Sequence, residues 1–182
     1  MKRVKRRGVA VLLLAGLLAA GMIFYIVEYF IYGGEWASFA ANRHIYKNGA
    51  LASGRILDRN GEVLYDGESG SYSGSYTVRL STLHAVGDRA GNIGTAAKAV
   101  FADKVTGYDP VNGAYSVSGS GNDLYLTIDA DLNETAYNAL NGRKGTVAVY
   151  NYKTGEILCM VSNPAFDPED PPDVESNQEK YK

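Results

Sequence analysis

Two short patterns in the sequence contain residue types that serve acyl transfer by a serine nucleophile. Ser-Gly-Asn at 120–122 matches Ser-x-Asn, in which a serine shuttles protons, and Lys-Thr-Gly at 153–155 matches a motif that holds a substrate carboxylate. The nucleophile itself is the serine of a Ser-x-x-Lys pattern, in which the lysine one helical turn later activates it. No Ser-x-x-Lys occurs in the 182 residues. We therefore interpret both patterns as turn residues and predict no catalytic residue in this chain.

The residue types give little support for a metal or cofactor site. His44 and His84 are the two histidines and Cys159 is the single cysteine, so no Cys/His cluster has the spacing of a zinc site. Cys159 lies in an alternating apolar stretch, which is typical of a small buried hydrophobic residue. Asp58 and Arg59 flank an Asn-Gly pair, and charged residues at such a place usually cap the turn or pair across it. We predict no metal and no cofactor.

Charge is distributed unevenly along the chain. Five bases precede residue 8, and with Glu28 as the one acid they give the first 32 residues a net charge of +4, so the total of −2 leaves −6 for the remainder. Nucleic-acid phosphates are bound by clustered Lys and Arg, so a mildly acidic remainder argues against a nucleic-acid partner.

Residues 8–27 are twenty residues without a charge, enough helix to cross about 30 Å of hydrocarbon. Bases before this run, and none after it until Arg43, predict a cytoplasmic N-terminus and an outward-facing remainder. We predict a cytoplasmic tip over 1–7 and an uncleaved transmembrane anchor over 8–32. A cleaved signal peptide is the alternative, for which the apolar run is long. The aromatic residues expected at the outer interface are Tyr25, Tyr29, Phe30, Tyr32 and Trp36.

Four stretches of the remainder are predicted to form β-structure. Alternating residues on both sides of Asn-Gly at 60–61 predict a hairpin closed by a two-residue type I′ turn. Similar alternation predicts strands over 76–80 and 123–129. The runs 145–150 and 156–161 are rich in β-branched and apolar residues and predict a second hairpin.

Three helices are predicted among these strands, which makes the fold class α+β. Residues 38–43 could form a short helix, and Thr95 is expected to cap another that stops near Gly107. A third helix should begin at Ala130, after an Asp, and end at Asn-Gly at 141–142, a pair suited to the left-handed conformation.

Two parts of the sequence resemble one known family. Gly-Arg-Ile-Leu-Asp-Arg-Asn-Gly at 54–61 resembles the Gly-Arg-x-Ile-x-Asp-Arg-Asn-Gly signature that opens the N-terminal module of class B penicillin-binding proteins. The stretches at 124–129, 144–147 and 153–158 resemble the entry into the transpeptidase domain of that family, whereas 67–74 matches no family pattern. The residues that carry the resemblance, as structural positions, are Gly54, Arg55, Ile56, Asp58, Arg59, Asn60, Gly61, Asp129, Gly145, Thr146, Thr154, Gly155 and Glu156.

The resemblance implies a serine acyltransferase of the bacterial plasma membrane, which cross-links peptidoglycan stem peptides outside the membrane and is acylated by β-lactams. It implies division or elongation proteins as partners. Residues 33–121 would form a stalk and pedestal domain, and 122–182 the truncated start of a transpeptidase domain whose catalytic serine comes later. The alternative is a non-enzymatic, membrane-anchored cell-wall or division-complex interaction module. An uncovered half-sheet at 145–161 disfavours that alternative, because unpaired strand edges aggregate.

Overall fold

The computed structural model describes residues 2–38, 54–106, 111, 121–174 and 176–181. The predicted α+β class is confirmed, with one long apolar helix ahead of a mixed helix and sheet structure. The predictions at 39–43, at His44, at Gly107 and at Ser120 lie outside the described residues. The elements are α1 (Lys2–Ser38), β1 (Arg55–Leu57), β2 (Val63–Asp66), β3 (Ser71–Tyr72), α2 (Tyr76–Val86), α3 (Ala97–Val100), α4 (Ala102–Val105), β4 (Leu124–Tyr125), α5 (Ala130–Leu140), β5 (Gly145–Tyr150), β6 (Ile157–Asn163) and α6 (Gln178–Tyr181).

Helix α1 contains a stretch, Val4–Gly34, that is long and apolar enough to cross a membrane. Its large apolar side chains face outward, and Leu13, for example, is 71% exposed. A helix that is apolar all round without being buried by protein has the composition of a membrane span. The predicted long apolar helix is therefore confirmed, and it extends beyond the predicted bounds at both ends.

Four strands form one sheet in the order β3-β2-β1-β4, with β1 parallel to β4 and antiparallel to β2. The hairpin of β1 and β2 is confirmed, but its predicted two-residue type I′ turn is wrong. That turn requires positive φ at both central residues, whereas only Gly61 (φ 89°) has it and Asn60 does not. The wider loop forms because the Asp58 side chain accepts the backbone N–H groups of Asn60 and Glu62.

The strand predicted over 76–80 is wrong, because these residues begin helix α2. The side chain of Ser75 accepts the N–H of Val78 and caps the helix, and Gly87 (φ 98°) ends it. Alternation over five residues does not exclude a helix whose buried side continues to Leu83 and Val86. Helix α2 supplies a large part of the main core, together with β1, β2 and the start of α5.

The helix predicted after Thr95 is present as two short pieces, α3 and α4, separated by Phe101. Its predicted cap is wrong: Ala96 is the N-cap, without a side-chain hydrogen bond. Thr95 lies one residue too early, and the buried Ala96 and Ala97 hold this end of the helix by packing instead.

Helix α5 and the second hairpin are confirmed. Asp129 caps α5 through the N–H of Leu132, and Asn141 (φ 47°) is left-handed at its end. Strands β5 and β6 pair from Gly145 with Asn163 to Tyr150 with Ile157, and a small core between them and α5 contains the buried Cys159. The strand predicted over 123–129 is shorter than expected, since only Leu124–Tyr125 pairs as β4.

Gly54 is the point where the start of β1 lies closest to the chain that leads into β4. A Cβ atom on Gly54 would stand 2.0 Å from the carbonyl oxygen of Asn122, a backbone atom that cannot rotate away. We expect Gly54→Ala to lower the free energy of unfolding by about 1–3 kcal/mol, as overpacking does, measured by denaturant titration of the chain in detergent micelles.

Gly94→Ala is the matched control, because a Cβ atom there meets nothing within 4 Å. Equal stability of the two variants would contradict this prediction, because the backbone at Gly54 and Asn122 would then have moved apart without cost.

Candidate functional site

Asp58 lies at the centre of the predicted motif and is only 1% exposed. Its Oδ1 accepts the backbone N–H groups of Asn60 at 2.7 Å and of Glu62 at 2.8 Å. Its Oδ2 accepts the N–H of Ala130 at 3.1 Å, in the first turn of α5. One buried carboxylate therefore joins the β1–β2 loop to the start of a helix 72 residues later. We call the set Asp58, Asn60, Glu62, Asp129 and Ala130 the Asp58 junction.

Three further contacts hold the same loop against the chain that leads into α5. The N–H of Arg59 donates to the carbonyl of Ile128 at 3.0 Å, and the side-chain amide of Asn60 donates to Asp129 Oδ2 at 3.1 Å. The N–H of Leu126 donates to the carbonyl of Leu57 at 2.8 Å, which extends the pairing of β1 with β4. Backbone and side-chain bonds thus fix the register of the two segments together.

Two acids of the Asp58 junction have pKa values that are shifted in opposite directions. The pKa of Asp129 is lowered, first by the hydrogen bond from the N–H of Leu132 and then by the side chain of Asn60. The pKa of Glu62 is raised, first by burial and then by the neighbouring carboxylates, of which Asp58 is the strongest. The N-terminal end of α5 favours negative charge, so Asp58 and Asp129 are placed where the helix dipole stabilises them.

Gly54, Arg55 and Ile56 anchor the first strand. The N–H of Gly54 donates to the carbonyl of Val105 at 2.8 Å, and Ile56 is fully buried in the main core. The guanidinium of Arg55 donates to both carboxylate oxygens of Asp123, through Nε at 3.1 Å and Nη2 at 2.5 Å. This pair is largely exposed, and it lowers the pKa of Asp123 chiefly through the hydrogen bond.

The remaining predicted positions lie in the β5–β6 hairpin rather than at the Asp58 junction. Gly145 and Thr146 begin β5, and the Thr146 hydroxyl lies 3.0 Å from that of Ser162. Thr154, Gly155 (φ 79°) and Glu156 form the connection between the strands, where the hydroxyl of Thr154 donates to Glu156 at 3.1 Å. Lys-Thr-Gly at 153–155 is therefore in a turn, as interpreted, and not in a strand.

A group of contacts that the sequence did not predict fastens residues 164–170 onto α2 and β3. We call these residues the strap. Arg79 donates to Asp167 through Nε at 3.0 Å and Nη2 at 2.8 Å, and both side chains are largely buried. Glu169 accepts the N–H of Tyr72 at 3.0 Å, and the fully buried Pro168 accepts that of Arg89 at 3.0 Å.

The sequence predicts a strand at Arg79 instead of a helix. It therefore does not predict the contact of this side chain with the strap. The N-cap Ser75 is the signal that would have found the helix, since it precedes the apolar run by one residue. Nothing in the spacing of Asp167 and Arg79, 88 residues apart, points to their pairing.

The chemistry that this arrangement supports is structural. The carboxylate of Asp58 is buried and accepts three backbone N–H groups and the side-chain amide of Asn60, so it lacks the free lone pair and the reach to substrate that a general base needs. Among the described residues, no group of three or more His, Cys, Asp or Glu side chains is arranged to hold a metal ion. His84 is half-buried, its Nδ1 has no hydrogen-bond partner among the described residues, and burial lowers its pKa. Burial likewise raises the pKa of the Cys159 thiol, which keeps it protonated.

Similarity to known proteins gives these positions a context. No protein-family model matches the chain. Over 48 residues it is 48% identical to peptidoglycan D,D-transpeptidase MrdA of Acinetobacter baumannii, a match that covers 26% of this chain and 7% of that protein. Over 72 residues it is 36% identical to probable peptidoglycan D,D-transpeptidase PenA of Neisseria flavescens, covering 36% of this chain and 18% of that protein.

The fold is similar to that of a solved structure, PBP2 of Pseudomonas aeruginosa in complex with WCK 5153. The two agree with a TM-score of 0.51 and 25% sequence identity, over 72% of this chain and 32% of that one. The matches thus span less than a fifth of the curated relatives and about a third of the solved relative.

Removal of the Asp58 carboxylate should destabilise the fold strongly. Asp58→Ala leaves three backbone N–H groups without their acceptor, and we expect it to lower the free energy of unfolding by about 2–4 kcal/mol. Asp58→Asn keeps one acceptor oxygen and should lose less. Asp66→Ala is the control, because Asp66 accepts one N–H, that of Glu68, at an exposed turn. Thermal unfolding that ranks Asp66→Ala as the more harmful change would contradict the central role of Asp58.

The ion pair of the strap should make stability depend on pH. Arg79 holds the pKa of Asp167 below its usual value, first through the side-chain hydrogen bond. The folded state therefore binds this proton less readily than the unfolded state, so the stabilisation is present above the unfolded pKa near 3.8 and is lost as pH falls through the folded pKa. We expect Arg79→Gln to cost about 1–2 kcal/mol at pH 6 and progressively less below about pH 4.

Arg55→Gln provides the comparison, because its pair with Asp123 is more exposed and solvent screens it. Unfolding curves at several pH values would test this order, and a cost of Arg79→Gln that stays constant down to pH 2 would rule out the pair as its source.

Proposed function

We propose that this chain is the membrane-anchored, outward-facing N-terminal part of a class B penicillin-binding protein, because segments of it are similar to peptidoglycan D,D-transpeptidases and its fold is similar to that of a PBP2. In this role it carries the pedestal and the first elements of the transpeptidase domain. The serine that forms the acyl-enzyme lies in the part of the full protein that follows. The Asp58 junction is the observation that carries the proposal, since it fastens the family signature to the first helix of the catalytic domain.

The β5–β6 hairpin supports the proposal, because it has the features expected of part of a larger sheet. Both strands lack a second neighbour within the part of the chain that the structure describes, and Val149, Tyr150 and Ile157 are exposed. Unpaired edges beside exposed apolar side chains are rare in a finished sheet, because they template aggregation. Further strands of the full protein would cover them.

In the proposed enzyme, the serine of a downstream Ser-x-x-Lys attacks a stem-peptide carbonyl while the lysine takes its proton. The peptide C–N bond then breaks, and the residue on its C-terminal side leaves as an amine that receives the proton. The acyl group is then transferred to the amine of a second stem peptide, which forms the cross-link, whereas a β-lactam acylates the serine and is released slowly. The residues of this chain contribute position. They hold the base of the catalytic sheet at a fixed place relative to the pedestal, through the Asp58 junction and the strap.

Membrane anchoring is supported by helix α1 and by the charges at its ends. Five bases precede the uncharged run and none follows it until Arg43, and by the positive-inside rule this charge distribution supports a cytoplasmic N-terminal end. Tyr29 and Trp36 belong to the aromatic residues near the other end of the apolar run, where an interfacial belt is expected. The pedestal and the catalytic domain then face outward, on the side of the membrane where peptidoglycan is built.

Covalent labelling by a fluorescent penicillin tests the proposal directly. We expect the full-length gene product to carry a Ser-x-x-Lys after residue 182 and to be labelled in membranes, with labelling abolished when that serine is changed to Ala. The same serine variant should keep the thermal stability of the parent protein, which separates loss of the nucleophile from loss of the fold.

A reading frame without such a serine, or a full-length protein that takes no label at saturating penicillin, would refute the enzyme. The anchored interaction module would then be the remaining interpretation, to be pursued by affinity capture of division and elongation proteins.

A further inference from the structure

The basic residues ahead of the apolar run belong to helix α1 itself. The helix begins at Lys2 and continues without interruption through Arg7 into the uncharged residues 8–27. The side chains of Lys5, Arg6 and Arg7 are exposed. We define the basic segment as Lys2, Arg3, Lys5, Arg6 and Arg7.

Helical geometry places the five bases on one side. At about 100° per residue, their positions fall within an arc of roughly 200° around the axis, while Val4 falls in the gap. The basic segment therefore presents one cationic face, rather than a ring or a flexible tail. No acid lies in the first turn of the helix, and the first in the sequence is Glu28. No acidic residue therefore lies on α1 between the basic segment and Glu28.

The distance of the basic segment from the hydrocarbon of the bilayer follows from the position of the membrane span. If residues 8–27 fill the hydrocarbon, the basic segment lies within about 9 Å of its edge, because each residue rises about 1.5 Å. The headgroup layer of each leaflet is about 5–8 Å thick, because the whole bilayer is about 40–45 Å thick and its hydrocarbon about 30 Å. Lys5, Arg6 and Arg7, about 2–5 Å from the hydrocarbon edge, consequently lie at the level of the phosphates, and positions 2 and 3 lie at the outer edge of the headgroup layer.

We propose that the basic segment is a binding face for anionic phospholipid headgroups, so that the protein gathers such lipids around the cytoplasmic end of its helix. This inference rests on the membrane anchoring proposed above. A cluster of four to eight Lys and Arg next to a span is attracted to anionic lipid, and each base raises the affinity roughly fivefold. Guanidinium groups bind phosphate oxygens in a two-pronged geometry, which suits three of the five positions.

Lipid retention by the whole chain tests the proposal. The purified chain is reconstituted into vesicles of equal parts phosphatidylglycerol and phosphatidylcholine and is extracted with a styrene–maleic acid polymer. The lipids that remain with it are quantified by mass spectrometry. We expect phosphatidylglycerol to exceed phosphatidylcholine by about twofold or more, and the excess to shrink in 0.5 M NaCl, where surface charges are screened beyond about 4 Å.

Two variants with equal charge changes make the test specific. The first replaces all five bases of the basic segment by Gln and should retain the two lipids equally. The second replaces five exposed bases outside it and should keep the excess; these are Lys104, Arg143, Lys144, Lys153 and Lys180. Equal retention by the wild-type chain, or loss of the excess in both variants, would overturn the proposal.

Membrane insertion is measured separately, by resistance of each protein to carbonate extraction from the vesicles. Wild-type protein that resists extraction but retains the two lipids equally refutes the lipid face and leaves the anchor standing. Wild-type protein that is extracted refutes both.

Discussion

The buried carboxylate of Asp58 is the constraint on which the arrangement of the outer part of the chain depends. A charge inside a protein is costly unless it is hydrogen-bonded, and Asp58 meets that requirement with three backbone N–H groups from two distant segments. If the β1–β2 loop moved away from α5, both the carboxylate and the N–H of Ala130 would lose a partner in a dry environment. The two segments are therefore held together by the cost of separation, more than by the net strength of any single bond. The parallel pairing of β1 with β4 follows, because the bond from Leu126 to Leu57 extends the register set there.

The strap provides a second set of buried polar contacts, centred on Arg79 of α2. Arg79 and Asp167 are largely removed from water, and two backbone N–H groups find acceptors on the strap at Glu169 and Pro168. The chain leaving β6 is thus returned to α2 and β3 instead of projecting from them. Residues 54–86 are consequently tied to residues 124–170 by the Asp58 junction and by the strap, which are far apart in sequence.

What the sequence predicted well was local. Helix α5 was correctly bounded because Asp129 and Asn141 act on backbone groups within four residues of themselves, and the β5–β6 hairpin followed from two adjacent runs. The failures have both local and distant causes. Residues 76–80 alternate like a strand, but Ser75 and the core around Val86 make them a helix. Asn60-Gly61 suits a type I′ turn, yet the side chain of Asp58, held by α5, imposes a wider loop. The pairing of Arg79 with Asp167 has no local signal at all.

The position of Asp58 also explains why a charged residue is used where an apolar one would pack more cheaply. A Leu or Val at this place could fill the volume, but it would leave the N–H groups of Asn60, Glu62 and Ala130 facing a side chain that accepts no hydrogen bond. Any rearrangement that rescued those groups would have to move either the loop or the first turn of α5, and so disturb β1, which pairs with β2 on one side and β4 on the other. An acceptor with two oxygens, set on a short side chain, satisfies donors on both segments simultaneously. The carboxylate therefore specifies one arrangement of the β1–β2 loop and α5.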